Sequence, residues 1–434
     1  AQVLICLKIT RIAVASLNRQ SEIYDRMKFS DYISRLKGDK KIWIVIFVMS
    51  FISILVVYSS TGALAFRRSN GNTSFYIFRQ VIVQMIGFMF ILLMLKFVRI
   101  KTYNKYANLA LVAAVGFILL GILIGRGSGR TIPLGFFSFQ PAELAKVAVI
   151  MWVARILSST GESDESRRKS FFKILLVMGL LALLLLKVNF SSAVLLMATA
   201  FIMMFVAQMP MRYLAGTVLV GLIFAVSLFL VRKQLPEIVY KGTRVETVFN
   251  RIDRYISGSD PKQDEGLTQD EFAKIAIYNG GFFGVGVGKG DISNRMSAAY
   301  NDFVFAIIVE EYGLFFAAFI VLLYLIILTR GLMIIKACKR TFPLYLATGA
   351  VTMLMMQALV NMGVSSGAIP VTGQPLPWIS WGGTSQVFTA FIFGFLLSIS
   401  AENQSEMLKQ DDISEQSEDD DFSEEEILLS NLEH

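Results

Sequence analysis

The chain has 434 residues, 55% hydrophobic and 17% charged, with a formal net charge of +8 and a mean hydropathy of +0.59. That composition excludes an ordinary soluble domain and points to the membrane. The single histidine, His434, is the last residue, which excludes histidine-based acid–base or metal chemistry and leaves proton transfer to Asp, Glu, Lys or Tyr.

Residues 1–41 read as a cytoplasmic N-terminal segment. Within it, 1–26 read as a non-native start, because Met27 opens the native-like run MKFSDYISRLKGDKKIW. Ten apolar runs follow, at roughly 42–64, 76–97, 105–125, 141–158, 171–188, 190–208, 212–231, 303–329, 342–362 and 382–400. Each is near the ~20 residues a helix needs to cross ~30 Å of hydrocarbon. Their Leu, Ile, Phe and Val run continuously, which predicts helices, since a membrane β-barrel would alternate apolar and polar residues. The predicted fold class is an all-α polytopic membrane protein with about ten transmembrane helices over 42–400 and one large extracytoplasmic loop over 232–302.

Short-loop cations predict the orientation. Lys28, Arg35, Lys37, Lys40 and Lys41 precede the first span; Arg99, Lys101 and Lys105 follow the second; Arg167, Arg168 and Lys169 follow the fourth; Arg330, Lys336, Lys339 and Arg340 follow the eighth. These alternate connections share one side, so both termini are expected in the cytoplasm and the long loop outside. Residues 232–301 carry 10 Lys and Arg against 9 Asp and Glu, unlike a retained polybasic segment. Cys6 and Cys338 fall on predicted cytoplasmic stretches, where a disulfide framework is not expected.

Residues 401–434 hold 13 acids and one lysine, which leaves an excess of 20 positive charges over residues 1–400. Most of that excess reads as the positive-inside bias and attraction to anionic lipid, and part of it could serve a pyrophosphate-bearing ligand. The tail over 401–428 is acidic, Ser-rich and too poor in apolar residues to fold alone, so it is expected to be disordered. Its last residues, LEH, resemble a trimmed expression tag.

Four clusters stand apart from lipid-facing filler. The first is Arg130 followed by FSFQPAELAK, residues 137–146, at the start of the fourth span. Pro141 suits the first turn of a helix, and Glu143 falls where the helix dipole favours a negative charge. Glu143 and Lys146 are three apart, close enough to pair on one face, and a self-satisfied ion pair is the plain alternative to a functional role. The second cluster is the long loop, with Arg244, Arg251, Gln269 and the glycine-rich run Gly280–Gly290 containing Lys289. Glycine backbone can approach a phosphate closely, yet this run neither follows a strand nor opens a helix as nucleotide-binding loops require.

The third cluster is Asp302 with Glu310 and Glu311 in DFVFAIIVEEYG. Carboxylates at membrane depth are costly and are functional candidates by default. Asp302 and Glu310 differ by ~80° around a helix, so both can lean toward one cavity, whereas Glu311 lies ~180° away and is expected to meet another helix. A helix N-cap is the plain alternative for Asp302. The fourth cluster is Asn361-Met362-Gly363, followed by IPVTGQPLPWISWGGTS over 369–385, which includes Thr372, Pro375, Ser380 and Ser385. Its prolines forbid a continuous helix. Irregular backbone beside a membrane survives only where it packs in protein or lines a wet cavity, so a rigid extracytoplasmic lid or cavity wall is expected.

These clusters, in this order, resemble the SEDS family of cell-wall proteins, which includes FtsW, RodA and SpoVE. FSFQPAELAK is similar to a family FQPSELAK segment, NDFVFAIIVEEYG to HTDFIFAVIGEELG, and IPVTGQPLPWISWGGTS to LPVTGIPLPFISYGGSS; Arg79-Gln80 fits a family RQ. The likeness runs from about residue 42 to 400. Tyr300-Asn301 replaces a usual His-Thr, and KVNFSSA over 187–193 replaces a usual QPDLGTA, with an amide in place of its acid.

The resemblance implies a peptidoglycan glycosyltransferase that polymerises lipid II at the outer face of the cytoplasmic membrane. It also implies an essential aspartate at Asp302, here expected to act as general base. Arg130, Lys146, Arg244 and Lys289 are candidates to stabilise a leaving pyrophosphate, and Gln140, Glu143, Glu310, Thr372, Pro375, Ser380 and Ser385 are further substrate-binding candidates. The expected partners are a class B penicillin-binding protein, other division membrane proteins, lipid II and the membrane, but no nucleic acid. A divalent cation, Mg or Mn, is implied by the resemblance alone, since no metal-ligand motif is present. The extended acidic tail favours the FtsW-like, division branch over a RodA-like elongation polymerase. The rival readings are a lipid II transporter, with Asp302 as a gate, and a scaffold acting through its tail.

Overall fold

The computed structural model describes residues 36–60, 74–124, 131–134, 137–231, 269–290 and 302–432. Among them are eleven helices and one two-stranded hairpin: α1 (Lys40–Ser60), α2 (Ser74–Phe97), α3 (Ile100–Ile124), β1 (Ile132–Leu134), β2 (Phe137–Phe139), α4 (Pro141–Ser158), α5 (Asp164–Val188), α6 (Phe190–Val206), α7 (Met211–Val231), α8 (Gln269–Gly280), α9 (Val304–Ala337), α10 (Thr341–Ser365) and α11 (Gly383–Leu432). Each predicted span falls on one helix, and α8 is an additional short one within the long loop. Seven helices, α1, α2, α3, α5, α9, α10 and α11, are long and apolar enough to cross a membrane. The others fall short for readable reasons: α6 has only 17 residues, and α4 carries Glu143, Lys146 and Arg155 within 18. Of the predicted loop over 232–302, residues 232–268 and 291–301 lie outside the described residues, as do Arg130 and Arg244.

Helix α4 is the axis of the bundle. It packs against α3, α5, α6, α10 and α11, and nearly every residue from Pro141 to Leu157 is buried. Burial on nearly every side, rather than contact with lipid, lets this helix hold charges that lipid would not tolerate. Helices α9 and α10 lie side by side, with α1 against α9 and α2 against α11.

One end of the bundle is tied by Asp39. Its carboxylate accepts from the Lys41 and Ile42 amides at 2.9 and 3.1 Å, capping α1, and also accepts from Arg330 Nε at 2.9 Å, tying α1 to α9. We expect Asp39→Ala to lose the cap and strand Arg330, at a cost of about 2–4 kcal/mol. Melting of the detergent-solubilised protein measures this, and an unchanged midpoint refutes it.

Counting 1.5 Å per residue from that end, Ser59 on α1 lies about 30 Å away and Gly313 on α9 about 25 Å away. Helix α9 has 34 residues, longer than a crossing needs, and it breaks at Gly313 (φ 85°, ψ 171°) near the opposite end of the bundle. This left-handed conformation suits glycine.

The acidic tail departs from expectation. Helix α11 continues from the membrane segment to Leu432 rather than ending in a disordered tail. No glycine or proline occurs after Gly394, and the helix-forming Glu, Gln, Lys, Met and Leu residues of the segment prolong it. At its base, Arg340 at the α9–α10 turn pairs with Glu402 at 2.9 Å and also with Glu406, while Asn403 Nδ2 donates to the Ile334 carbonyl at 3.2 Å.

Candidate active site

The site grows from α4. The hairpin, in register Ile132↔Phe139, delivers the chain to Gln140, and Pro141 opens the helix. Gln140 contributes its backbone carbonyl, which accepts from the Glu143 amide at 3.0 Å, but no side-chain cap. Lys146 Nζ donates to Glu143 Oε1 at 2.7 Å, with both side chains almost wholly buried at 1% and 3% exposure. Spacing alone allowed a self-satisfied pair, but the structure extends it. Lys146 also donates to Gln374 Oε1 at 3.2 Å, and Gln374 Nε2 donates to Ser192 Oγ at 3.0 Å. Desolvating two charges is repaid only when such further bonds satisfy them.

The proline-rich segment re-enters the bundle, and each of its non-helical carbonyls named here meets a side-chain donor. Asn361 Nδ2 donates to Gln374 O at 2.8 Å, Tyr324 OH to Pro377 O at 2.6 Å, and Ser53 Oγ to Ile379 O at 2.8 Å. Gln386 Nε2 serves Trp378 O and Ser380 O at 3.4 and 3.2 Å. Trp378 sits at φ 67° and donates from Nε1 to Ser50 Oγ at 2.7 Å. Its ring is held edge-on by Phe88 and Phe393. Ser50 is about 16 Å from Asp39 along α1, so the segment reaches about halfway into the bundle. This satisfies the rule that irregular backbone at membrane depth must be enclosed.

Asp302 is partly buried and stands immediately before the fully buried Phe303, which occupies the α9 N-cap position. Its backbone carbonyl accepts from Asn361 Nδ2 at 3.1 Å. One asparagine therefore joins the mouth of α9 to Gln374, and through the Gln374 side chain to Lys146 and Glu143. Three clusters separate in sequence become one network. Asn361 and Gln374 belong to the fourth cluster but were not named as site residues; their signal is a polar amide inside an apolar helix and a glutamine within a proline-rich run. Asn189, the amide replacing the family's acid, caps α6 by accepting from the Ser192 amide at 3.3 Å.

The glycine-rich run has a different use from the phosphate cradle considered above. The break at Gly313 frees carbonyls and amides of α9, and this run satisfies them: Val285 and Gly286 amides donate to Glu310 O and Glu311 O at 2.9 and 3.1 Å, and the Leu314 and Phe315 amides donate to Gly281 O and Phe282 O at 2.9 and 3.3 Å. A β-carbon on Gly280 would stand 2.0 Å from the Val309 carbonyl oxygen, and one on Gly284 2.3 Å from that of Glu311. Those donors are committed to protein, so the glycines permit backbone docking. Lys289 remains exposed beside this junction.

Glu310 and Glu311 are both 1% exposed. The Glu310 carboxylate lies against Gly290. Glu311 has Ser59 of α1 and the Gly288 backbone as polar neighbours, and its Cγ, like the Glu310 carboxylate, lies against Gly290. The remaining candidates separate into two groups. Ser380 Oγ accepts from the Leu376 amide at 2.8 Å and is a turn brace, as is Ser385, which packs on Gly382. Thr372 accepts at its carbonyl from Ser191 Oγ at 2.7 Å and borders an apolar groove of about 320 Å³ with Phe190, Val194, Met356 and Val360. Pro375 is partly buried between Gln374 and Leu376. Among the described residues no three His, Cys, Asp or Glu side chains converge to hold a metal ion, so no chemical step below passes through one.

The family model FTSW_RODA_SPOVE, described as cell cycle protein, matches residues 39–405. A Saccharophagus degradans protein named probable peptidoglycan glycosyltransferase FtsW is 31% identical over 383 residues, 84% of this chain and 94% of its own. One of the same name from Geobacter sp. strain M18 is 29% identical over 377 residues, 84% of this chain and 98% of its own. Among solved structures, a chain from a study of polymerization and crosslinking by a peptidoglycan synthase complex superposes with a TM-score of 0.66 at 23% identity, covering 85% of this chain and 99% of that one. The Thermus thermophilus rod shape determining protein RodA superposes with a TM-score of 0.61, also at 23% identity, with the same coverage.

Proposed function

Because the chain belongs to the FtsW/RodA/SpoVE family, we propose that it is a peptidoglycan glycosyltransferase that polymerises lipid II at the outer face of the cytoplasmic membrane, in the FtsW-like, septal branch. The observation that carries this reading is the link from Asp302 through Asn361 and Gln374 to the buried Lys146–Glu143 pair. It ties the Asp302 backbone at the mouth of α9 to a rigid polar wall. The apolar groove at Thr372 adds a surface suited to a prenyl chain.

In this mechanism a GlcNAc 4-hydroxyl of one lipid-linked saccharide attacks C1 of another. Asp302 accepts the hydroxyl proton as the new glycosidic bond forms, and the bond from C1 to the pyrophosphate oxygen breaks, releasing undecaprenyl pyrophosphate. General-base assistance of this kind contributes ~10²–10⁴-fold. Cationic groups nearby stabilise the charge that develops on the leaving group. The FtsW names of the relatives support the division branch, and the likeness to a chain from a peptidoglycan synthase complex supports pairing with a class B penicillin-binding protein.

Incubating the purified protein with labelled lipid II, with and without such a partner and with Mg²⁺ or Mn²⁺, tests the proposal. Glycan ladders support it. Lipid II crossing liposome bilayers without ladders overturns it in favour of a transporter.

The tail gives a second test. Removing residues 409–434 leaves Glu402, Asn403 and Glu406 on Arg340 and Ile334. That truncation is expected to keep polymerase activity, and its loss would favour the scaffold reading.

A further inference from the structure

Arg79 lies in the second turn of α2, partly buried at the Asp302 end of the bundle. Its guanidinium carbon stands 5.1 Å above the Trp381 ring, which Tyr76 meets edge-on at 5.9 Å. The platform is rigid. The adjacent Gln80 donates to Ser53 Oγ at 2.6 Å, and Ser53 holds the Ile379 carbonyl, two residues before Trp381.

Stacking uses only the face of the guanidinium. Its N–H groups make no hydrogen bond or ion pair among the described residues. Among the described residues, α1, α2 and 366–400 contain no Asp or Glu; the buried acids Glu310 and Glu311 lie on α9, with Glu311 beside Ser59 of α1. Helix α11 begins two residues beyond Trp381, and its N-terminus adds partial positive charge. An arginine at membrane depth whose stacked guanidinium has no hydrogen-bond or ion-pair partner among the described residues is costly to keep unless an anion completes it. The planar fork matches phosphate oxygens two at a time.

The earlier candidates for this role are placed differently. Lys146 is committed to Glu143 and Gln374, and Lys289 sits exposed at the glycine junction. We infer that Arg79, presented on Trp381, binds the pyrophosphate of the lipid-linked substrate. This assignment rests on the polymerase reading for its ligand and on the Arg79–Trp381 geometry for its site.

The test is binding, measured separately from activity. Wild type, Arg79→Lys, Arg79→Gln and Trp381→Phe are placed in nanodiscs of neutral lipid, and their folding is checked by melting. Inorganic pyrophosphate and undecaprenyl pyrophosphate are titrated in separate arms, with phosphatidylglycerol as an anionic-headgroup control. Both pyrophosphate probes are expected to bind wild type and to perturb tryptophan emission. Arg79→Gln should weaken both by at least about tenfold, since hydrogen bonds to charged groups carry that much. Arg79→Lys should lie between, keeping the charge without the fork, and Trp381→Phe should lose the optical change.

Equal binding by wild type and Arg79→Gln overturns the inference, as does equal competition by phosphatidylglycerol. If Arg79→Gln does not fold, undiminished binding by Arg79→Lys overturns it. Normal polymerisation with binding indifferent to Arg79 removes this inference alone. Arg79-dependent binding without polymerisation removes the polymerase reading and leaves an anion site.

Discussion

Asp302→Asn should abolish polymerisation of lipid II, a loss of at least about 100-fold, while the protein melts as wild type does. The structure makes this variant diagnostic. The Asn361 bond runs to the backbone carbonyl of residue 302, so the amide keeps that tie while removing the basic oxygen. The N-cap of α9 falls on Phe303, so no helix-capping role of the carboxylate is lost either. Side-by-side glycan ladders and melting curves measure both consequences. Full activity in the asparagine variant ends the general-base assignment, and a large fall in melting temperature would turn Asp302 into a structural residue.

Glu143→Ala should cost about 3–5 kcal/mol, the loss expected when one partner of a buried ion pair is removed and the other charge is stranded. Lys146 would then sit 1% exposed with Gln374 as its remaining acceptor among the described residues. The informative comparison is the double variant Glu143→Leu with Lys146→Met. Replacing both charges by apolar groups of similar size recovers most of the loss, less about 1–3 kcal/mol for the orphaned Gln374 oxygen. A double variant that melts near wild type yet makes no glycan assigns the pair to the chemistry. One that is stable and active makes the pair scaffolding and removes Lys146 from the site. A single Glu143→Ala that melts like wild type refutes the buried-pair argument.

Much of the fold was legible because it follows from local composition. Ten apolar runs became ten helices, since a chain in lipid must satisfy its backbone internally and long Leu, Ile, Val and Phe runs do so as helices. The pairing of Glu143 with Lys146 followed from three-residue spacing. Other features could not be read this way. The glycine run has the composition of a phosphate loop, but its Val285 and Gly286 amides are spent on carbonyls freed at the Gly313 break of α9, a partner that local composition does not reveal. Low apolar content predicted a disordered tail, whereas unbroken helix formers after Gly394 carry α11 to Leu432.

The sequence by itself determined the class of protein, the positions of the helices and the residue types available for chemistry, because hydropathy, helical period and charge are properties of neighbours along the chain. Only the tertiary structure decided which polar groups meet. Asn361 between Asp302 and Gln374, Gln374 on Lys146, and Trp381 beneath Arg79 are contacts between segments far apart in sequence. Such contacts are selected by the need to satisfy every buried donor and charge in a medium without water, a condition on the folded whole.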